Sequence, residues 1–185
     1  MTSAALLVID IQRAAFDGVR CPPIDRAAEL VSNAVALVAA ARDAESPVIF
    51  IQHCDEPDQP FEEGTPQWEL HERLSPRPSD TIIKKYASSA FENTELGATL
   101  QKLEIADLVV CGLQSEFCVS NTSKAALALG YRVTVAQDGH STWPSTGRTS
   151  HVIAAAVNEE LRSLGAVLAS TASLAAQLHA QAPRR

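Results

Sequence analysis

Ala106-Asp107-Leu108-Val109-Val110-Cys111-Gly112-Leu113-Gln114-Ser115-Glu116-Phe117-Cys118 runs from a strand, across a glycine, into the start of a helix. Ala106 to Cys111 is the most apolar strand-length run in the chain, as expected of a strand covered on both faces. Phe117 to Leu129 reads as a helix, and Gly130 supplies a left-handed residue to close it. The same alternation continues in both directions. Upstream lie a strand at Ala5 to Ile9, an alanine-rich helix at Ile24 to Asp43, strands at Pro47 to Ile51 and Thr81 to Ile83, and a helix from Thr94, its expected N-cap, to Leu103. Downstream lie a strand at Tyr131 to Ala136, a helix from Arg148 to Leu164 closed by Gly165, a strand at Ala166 to Leu168 and a last alanine-rich helix. Apolar strands alternating with helices make βαβ units, and right-handed crossovers place helices on both faces of a parallel sheet. The expected fold is α/β: a three-layer α-β-α sandwich around a six-stranded, mainly parallel sheet, formed by residues 1–185 as a single domain.

Fifteen Lys and Arg against 22 Asp and Glu leave a formal charge of −7, the wrong sign for a nucleic-acid binder. At 5% aromatic residues the chain also lacks a stacking platform for single strands. No apolar run approaches the roughly 20 residues that span a bilayer. The first apolar stretch has no basic segment before it and stops at Asp10, so it reads as a strand and not as a signal peptide. Cys21, Cys54, Cys111 and Cys118 show no CxxC spacing, so reduced thiols and a cytoplasmic location are expected, and a redox protein lacks its resolving cysteine. The long irregular segment from His53 to Asp80 reads as a lid, a binding loop or an oligomer contact. Pro183 to Arg185 is expected to fray.

Open parallel sheets bind ligands outside the carboxyl ends of their strands. The strands here end in Asp10; in His53, Cys54 and Asp55; in Lys84 and Lys85; in the segment from Gly112 to Cys118; and in Asp138, Gly139 and His140. A cysteine in the first turn of a helix sits where backbone N–H groups and the helix dipole favour a thiolate and can receive an oxyanion. A buried carboxylate can take the thiol proton, and a lysine steadies the charges. Cys118, Asp10 and one of the two lysines therefore make an acyl-transfer set, provided the fold gathers them into one cleft.

The chain resembles the isochorismatase-like cysteine hydrolases over nearly its whole length. The resemblance is carried by Ala5 to Gln12, by Lys85-Tyr86-Ala87-Ser88-Ser89-Ala90-Phe91 with Thr94 and Leu96, by Val109 to Val119, and by Ala125 to Asp138, in that order and spacing. It implies a Rossmann-like strand order and a triad of Asp10, Lys85 and Cys118. The family lysine stands four residues before the Ser of Ser-Ala-Phe, which selects Lys85 over Lys84. The resemblance further implies a cis peptide between Leu113 and Gln114, and an oxyanion hole made by the backbone N–H groups of Gln114 and Cys118. Ser115 replaces the threonine that is common there and keeps the hydroxyl.

Isochorismatases that cleave a vinyl ether lack the nucleophilic cysteine, so Cys118 points to C–N hydrolysis. The middle loop is similar to that of members acting on ureido, carbamoyl or lactam amides, the streptothricin hydrolases among them. Nicotinamidases of the family carry an Asp-x-His metal cluster. The corresponding Gln52-His53-Cys54-Asp55 with His71 is too sparse for one, so neither metal nor cofactor is expected. Gln12, Phe16, Trp68 and Phe91 are candidates for lining a small-molecule pocket, although Trp68 and Phe16 fit packing roles equally well. His53 reads as a hydrogen-bonded strand end, and His140 and His151 as surface or interface residues. A homo-oligomer, dimer or tetramer, is expected from the family. The alternatives are a metal-assisted nicotinamidase-like amidase and a catalytically idle oligomeric binding protein of the same fold.

Overall fold

A computed structural model describes residues 3–181; the tail from Pro183 to Arg185 lies outside the described residues. Six strands form one sheet: β1 (Ser3–Ile9), β2 (Val48–His53), β3 (Thr81–Lys85), β4 (Ile105–Leu113), β5 (Arg132–Ser141) and β6 (Val167–Ala169). Their order is β3-β2-β1-β4-β5-β6, and every pairing is parallel. The helices are α1 (Ala14–Asp17), α2 (Ala27–Asp43), α3 (Leu96–Lys102), α4 (Ser120–Ala128), α5 (Ser150–Ser163) and α6 (Thr171–Gln181). None of the helices among the described residues is long and apolar enough to cross a membrane.

The layering follows from the period of two along a strand. On β1, Leu6 and Val8 join a core with Leu30, Leu37 and Val38 of α2 and Leu174 and Leu178 of α6. Ala5, Leu7 and Ile9 face the other way, onto Leu96 and Leu100 of α3, Ala126 of α4, and Val157 and Leu161 of α5. Both faces of β1 are thus buried, which is why its sequence is continuously apolar.

Chain order reverses between β1 and β4, the topological switch point at which such sheets bind ligands. The two strands approach closely there. Ile9 pairs with Gly112, and a Cβ built on Gly112 would stand 2.0 Å from the Ile9 carbonyl oxygen. Gly112 also has φ +132°, so only glycine fits on both counts.

The structure departs from the sequence expectations at the end of β5 and at the starts of α4 and α3, among other element boundaries. β5 does not stop at Ala136: after a register irregularity, His140 pairs with Gly112 and Ser141 with Leu113. The polar composition of that extension disguised it as loop. The helix expected from Phe117 begins instead as a π turn, Ser115–Val119, leading into α4. Helix α3 starts at Leu96, with Thr94 one residue too early to be its N-cap; its Oγ1 still accepts the Leu96 N–H at 3.2 Å. Gly130 and Gly165 do take the left-handed conformation just past α4 and α5.

Candidate active site

Asp10 is the first residue past β1, Lys85 the last of β3, and Cys118 lies in the π turn after β4. The three come together. Lys85 Nζ lies 2.8 Å from Asp10 Oδ2 and 3.1 Å from Cys118 Sγ. Lys85 is completely buried and Asp10 is 2% exposed, so this is an ion pair in a low-dielectric setting. Strand alternation explains why Lys85 and not Lys84 is inside: Lys84 points outward, pairs with Glu63 and covers the Trp68 ring at 5.0 Å. Asp10 adopts a left-handed conformation (φ 53°) that few non-glycine residues hold, although aspartate tolerates it better than most. Its N–H donates to the Ile51 carbonyl at 2.9 Å, and its Oδ1 is buried with no hydrogen-bond partner. An unsatisfied carboxylate oxygen beside a thiol is costly to bury and chemically available to a proton.

A cavity of about 330 Å³ opens above these groups, and Asp10 and Cys118 lie in its wall. Pro22, Pro60, Phe61, Leu113 and Trp143 form its apolar part; Cys21, His53, Asp55 and Gln114 form the polar part. The Leu113–Gln114 peptide bond is cis. The π turn is tied down from below. Ser115 Oγ hydrogen-bonds His140 Nδ1 at 2.8 Å, and His140 Nε2 donates to Asn158 Oδ1 at 3.0 Å. The surface or interface role expected of His140 is therefore corrected: it is 1% exposed, and burial holds its pKa below the ordinary value, keeping it neutral.

The charges do not favour a resting thiolate. Burial pushes the Cys118 thiol up to about 12; the Asp10 carboxylate adds to the rise and Lys85 opposes it. Burial also works against the Lys85 ammonium, but Asp10 and Cys118 outweigh it and hold the lysine above its usual value. The resting site therefore holds a thiol beside a carboxylate–ammonium pair. The sequence pointed to a thiolate favoured by the helix terminus; burial and the neighbouring Asp10 carboxylate work against it.

The four expected pocket residues do not line this cavity, and each is held elsewhere. Gln12 is fully buried: its Oε1 accepts the His53 N–H at 2.8 Å, and its Nε2 donates to the His53 and Trp68 carbonyls at 2.9 and 2.8 Å. Phe16 packs edge-on against His71 beside a separate hollow. Trp68 lies beneath Lys84, and Phe91 packs against Tyr131 in the core. The middle loop reaches the cavity through Asp55, Pro60 and Phe61 instead. Cys21 and Trp143 join them, the indole held by a 2.7 Å bond to the Pro22 carbonyl. His53 is the hydrogen-bonded strand end that the sequence suggested, and its register opposite Lys85 across β2 and β3 places it beside the lysine. Both of its ring nitrogens are engaged, Nδ1 with Lys85 at 3.1 Å and Nε2 with Asp55 at 2.9 Å. Among the described residues no group of three His, Cys, Asp or Glu is arranged to hold a metal ion.

Comparison with known proteins agrees with this architecture. A streptothricin hydrolase from Streptomyces noursei is 36% identical over 156 residues, covering 83% of this chain and 56% of that protein; a second from the same organism is 34% identical over 157 residues, covering 83% and 61%. The chain thus spans less than two thirds of the length of these relatives. An isochorismatase structure from Pseudomonas putida KT2440 superposes with a TM-score of 0.86 at 30% identity, covering 92% of this chain and 89% of that one. The isochorismatase domain profile matches residues 4–173, nearly the whole sheet and its helices, and the chain belongs to the isochorismatase family of hydrolases.

Proposed function

We propose that the protein is a cysteine hydrolase that cleaves a C–N bond in a small amide, ureide or lactam through a thioester on Cys118. The observation that carries this is the Lys85 ammonium, which holds the Asp10 carboxylate and the Cys118 sulfur at 2.8 and 3.1 Å beside an open cavity. Asp10 Oδ1 takes the thiol proton as Sγ bonds to the carbonyl carbon, so charge separation is confined to the moment of attack. The carbonyl oxygen becomes an oxyanion against the backbone N–H groups of Gln114 and Cys118. Collapse breaks the C–N bond, and Asp10 returns its proton to the departing nitrogen. Water then gives a proton to Asp10 and its hydroxyl to the acyl carbon; the C–S bond breaks and the proton restores the thiol. Lys85 stays protonated throughout and keeps thiol and carboxylate in register.

The streptothricin hydrolase relatives support amide-type substrates for this chain, and the mostly apolar cavity of about 330 Å³ suits a small, largely uncharged molecule. The test is a panel of small amides, ureides and lactams with wild type and Cys118→Ala, with mass spectrometry of rapidly quenched enzyme. Turnover in wild type, an acyl adduct on Cys118 and loss of both in the variant are expected. Turnover that survives in Cys118→Ala refutes the covalent route.

A further inference from the structure

Lys85 Nζ has two more neighbours besides Asp10 and Cys118: the Ala87 carbonyl at 3.2 Å and His53 Nδ1 at 3.1 Å. An ammonium has only donors to offer, so the nitrogen facing it must present a lone pair. The ring proton of a neutral His53 is then on Nε2, which faces Asp55 Oδ1 at 2.9 Å. Asp55 is itself fixed: its Oδ2 accepts the Phe61 N–H at 3.0 Å, and its own N–H donates to the Phe61 carbonyl at 3.0 Å. The His53 backbone is gripped from the opposite side by the buried Gln12 amide. Phe61 also packs edge-on against the imidazole, with centroids 6.1 Å apart. A side chain fixed at its backbone, at one ring nitrogen and on one face has little freedom except to receive the lysine.

We propose that His53, with its proton held on Nε2 by Asp55, is a positioning residue that aims the Lys85 ammonium at Cys118. This rests on the cysteine-hydrolase reading above and adds a second line of support to its lysine. The line runs from Phe61 in the cavity wall through Asp55 and His53 to Lys85, and from there to Asp10 and Cys118. Asp55 and Lys85 are the charged groups bonded to the ring, one at each nitrogen. A ring carrying both protons would turn an N–H toward the ammonium and remove the acceptor. His53 acts through Lys85 and takes no part in bond making.

The experiment uses iodoacetamide as probe, with peptide mapping to isolate alkylation of Cys118 from that of Cys21, which lines the same cavity. Asparagine and leucine have nearly the same shape, but only asparagine offers Lys85 an acceptor. His53→Asn is therefore expected to alkylate within about threefold of wild type, and His53→Leu about tenfold more slowly at the same pH, the scale of one charge-assisted hydrogen bond. Lys85→Met is run alongside and should be slower still. Slow Lys85→Met with equal rates for the two His53 variants overturns the positioning role alone. An unslowed Lys85→Met overturns the reading of the site beneath it. Should the variants not fold, nitrogen-15 NMR of wild-type imidazoles decides: a neutral ring protonated on Nε2 is expected for His53, and one protonated on Nδ1 refutes the proposal.

Discussion

Asp10→Asn removes one negative charge from the site with almost no change of shape, and it separates two roles of that carboxylate. Sγ and Oδ2 share the Lys85 ammonium at 3.1 and 2.8 Å, so they lie no more than about 6 Å apart. At an effective dielectric constant near 20, repulsion over that distance is about 3 kcal/mol, or about two pH units on the thiol. The Cys118 thiol, held at about 12 by burial and by Asp10, should therefore ionise more readily in the variant, with Lys85 as sole counter-charge. The thiolate fraction near neutrality rises about a hundredfold. A less basic thiolate is also a weaker nucleophile, and a Brønsted coefficient of about 0.4–0.5 gives back nearly tenfold. The net expectation is about tenfold faster alkylation of Cys118 by iodoacetamide, measured at fixed pH by peptide mapping. Turnover of any panel substrate should fall by about 10²- to 10⁴-fold, because the proton acceptor is gone. An enzyme without Asp10 is thus expected to be more reactive toward a simple alkylating agent and nearly dead toward amides. Unchanged or slower alkylation in a variant with a native circular-dichroism spectrum would refute the electrostatic coupling on which the mechanism depends.

Gly112→Ala should prevent folding or cost more than about 4 kcal/mol, read as insolubility or a collapsed melting transition, because its Cβ would meet the Ile9 backbone at 2.0–2.8 Å. Cys118 has a thiol whose pKa in the fold lies above the ordinary 9.0, so it contributes stability that is full below about pH 9 and is lost as the pH rises toward 12. Wild type should therefore lose melting temperature more steeply across that window than Cys118→Ser. His140 has the opposite sign: burial depresses its pKa below 6.5, so its contribution is full above that pH and is lost as the pH falls below it. His140→Asn should flatten the acid side of the stability profile, and an unchanged slope would show that another group controls it.

Much of the architecture was legible because burial on both faces leaves an unmistakable mark. Ala5 to Ile9 and Leu108 to Cys111 are short and apolar without alternation, as expected of strands between two helical layers. Gly130 and Gly165 marked helix ends through their backbone freedom. The far half of β5 was not legible: Asp138, Gly139, His140 and Ser141 look like loop, and their pairing with Gly112 and Leu113 is a long-range event with no local pattern. In the middle loop, composition showed an irregular segment but not whether it reaches the cavity, nor which side chains face it. Phe61 and Trp68 are both aromatic, and the turn of chain between them sends one into the cavity and the other beneath Lys84.

What the amino-acid order settled by itself was the inventory at the strand ends: an aspartate, a lysine and a cysteine, each placed by the register of apolar runs against polar termini. Their separation by tens of residues leaves local physics silent about distance. The strand order β3-β2-β1-β4 brought them onto one ammonium, and the depth of that point decided their charges. A helix start favours a thiolate; beside the cavity, next to a carboxylate already paired with the lysine, burial holds Cys118 as a thiol. Ionisation depends on the summed field of groups that only the folded sheet assembles.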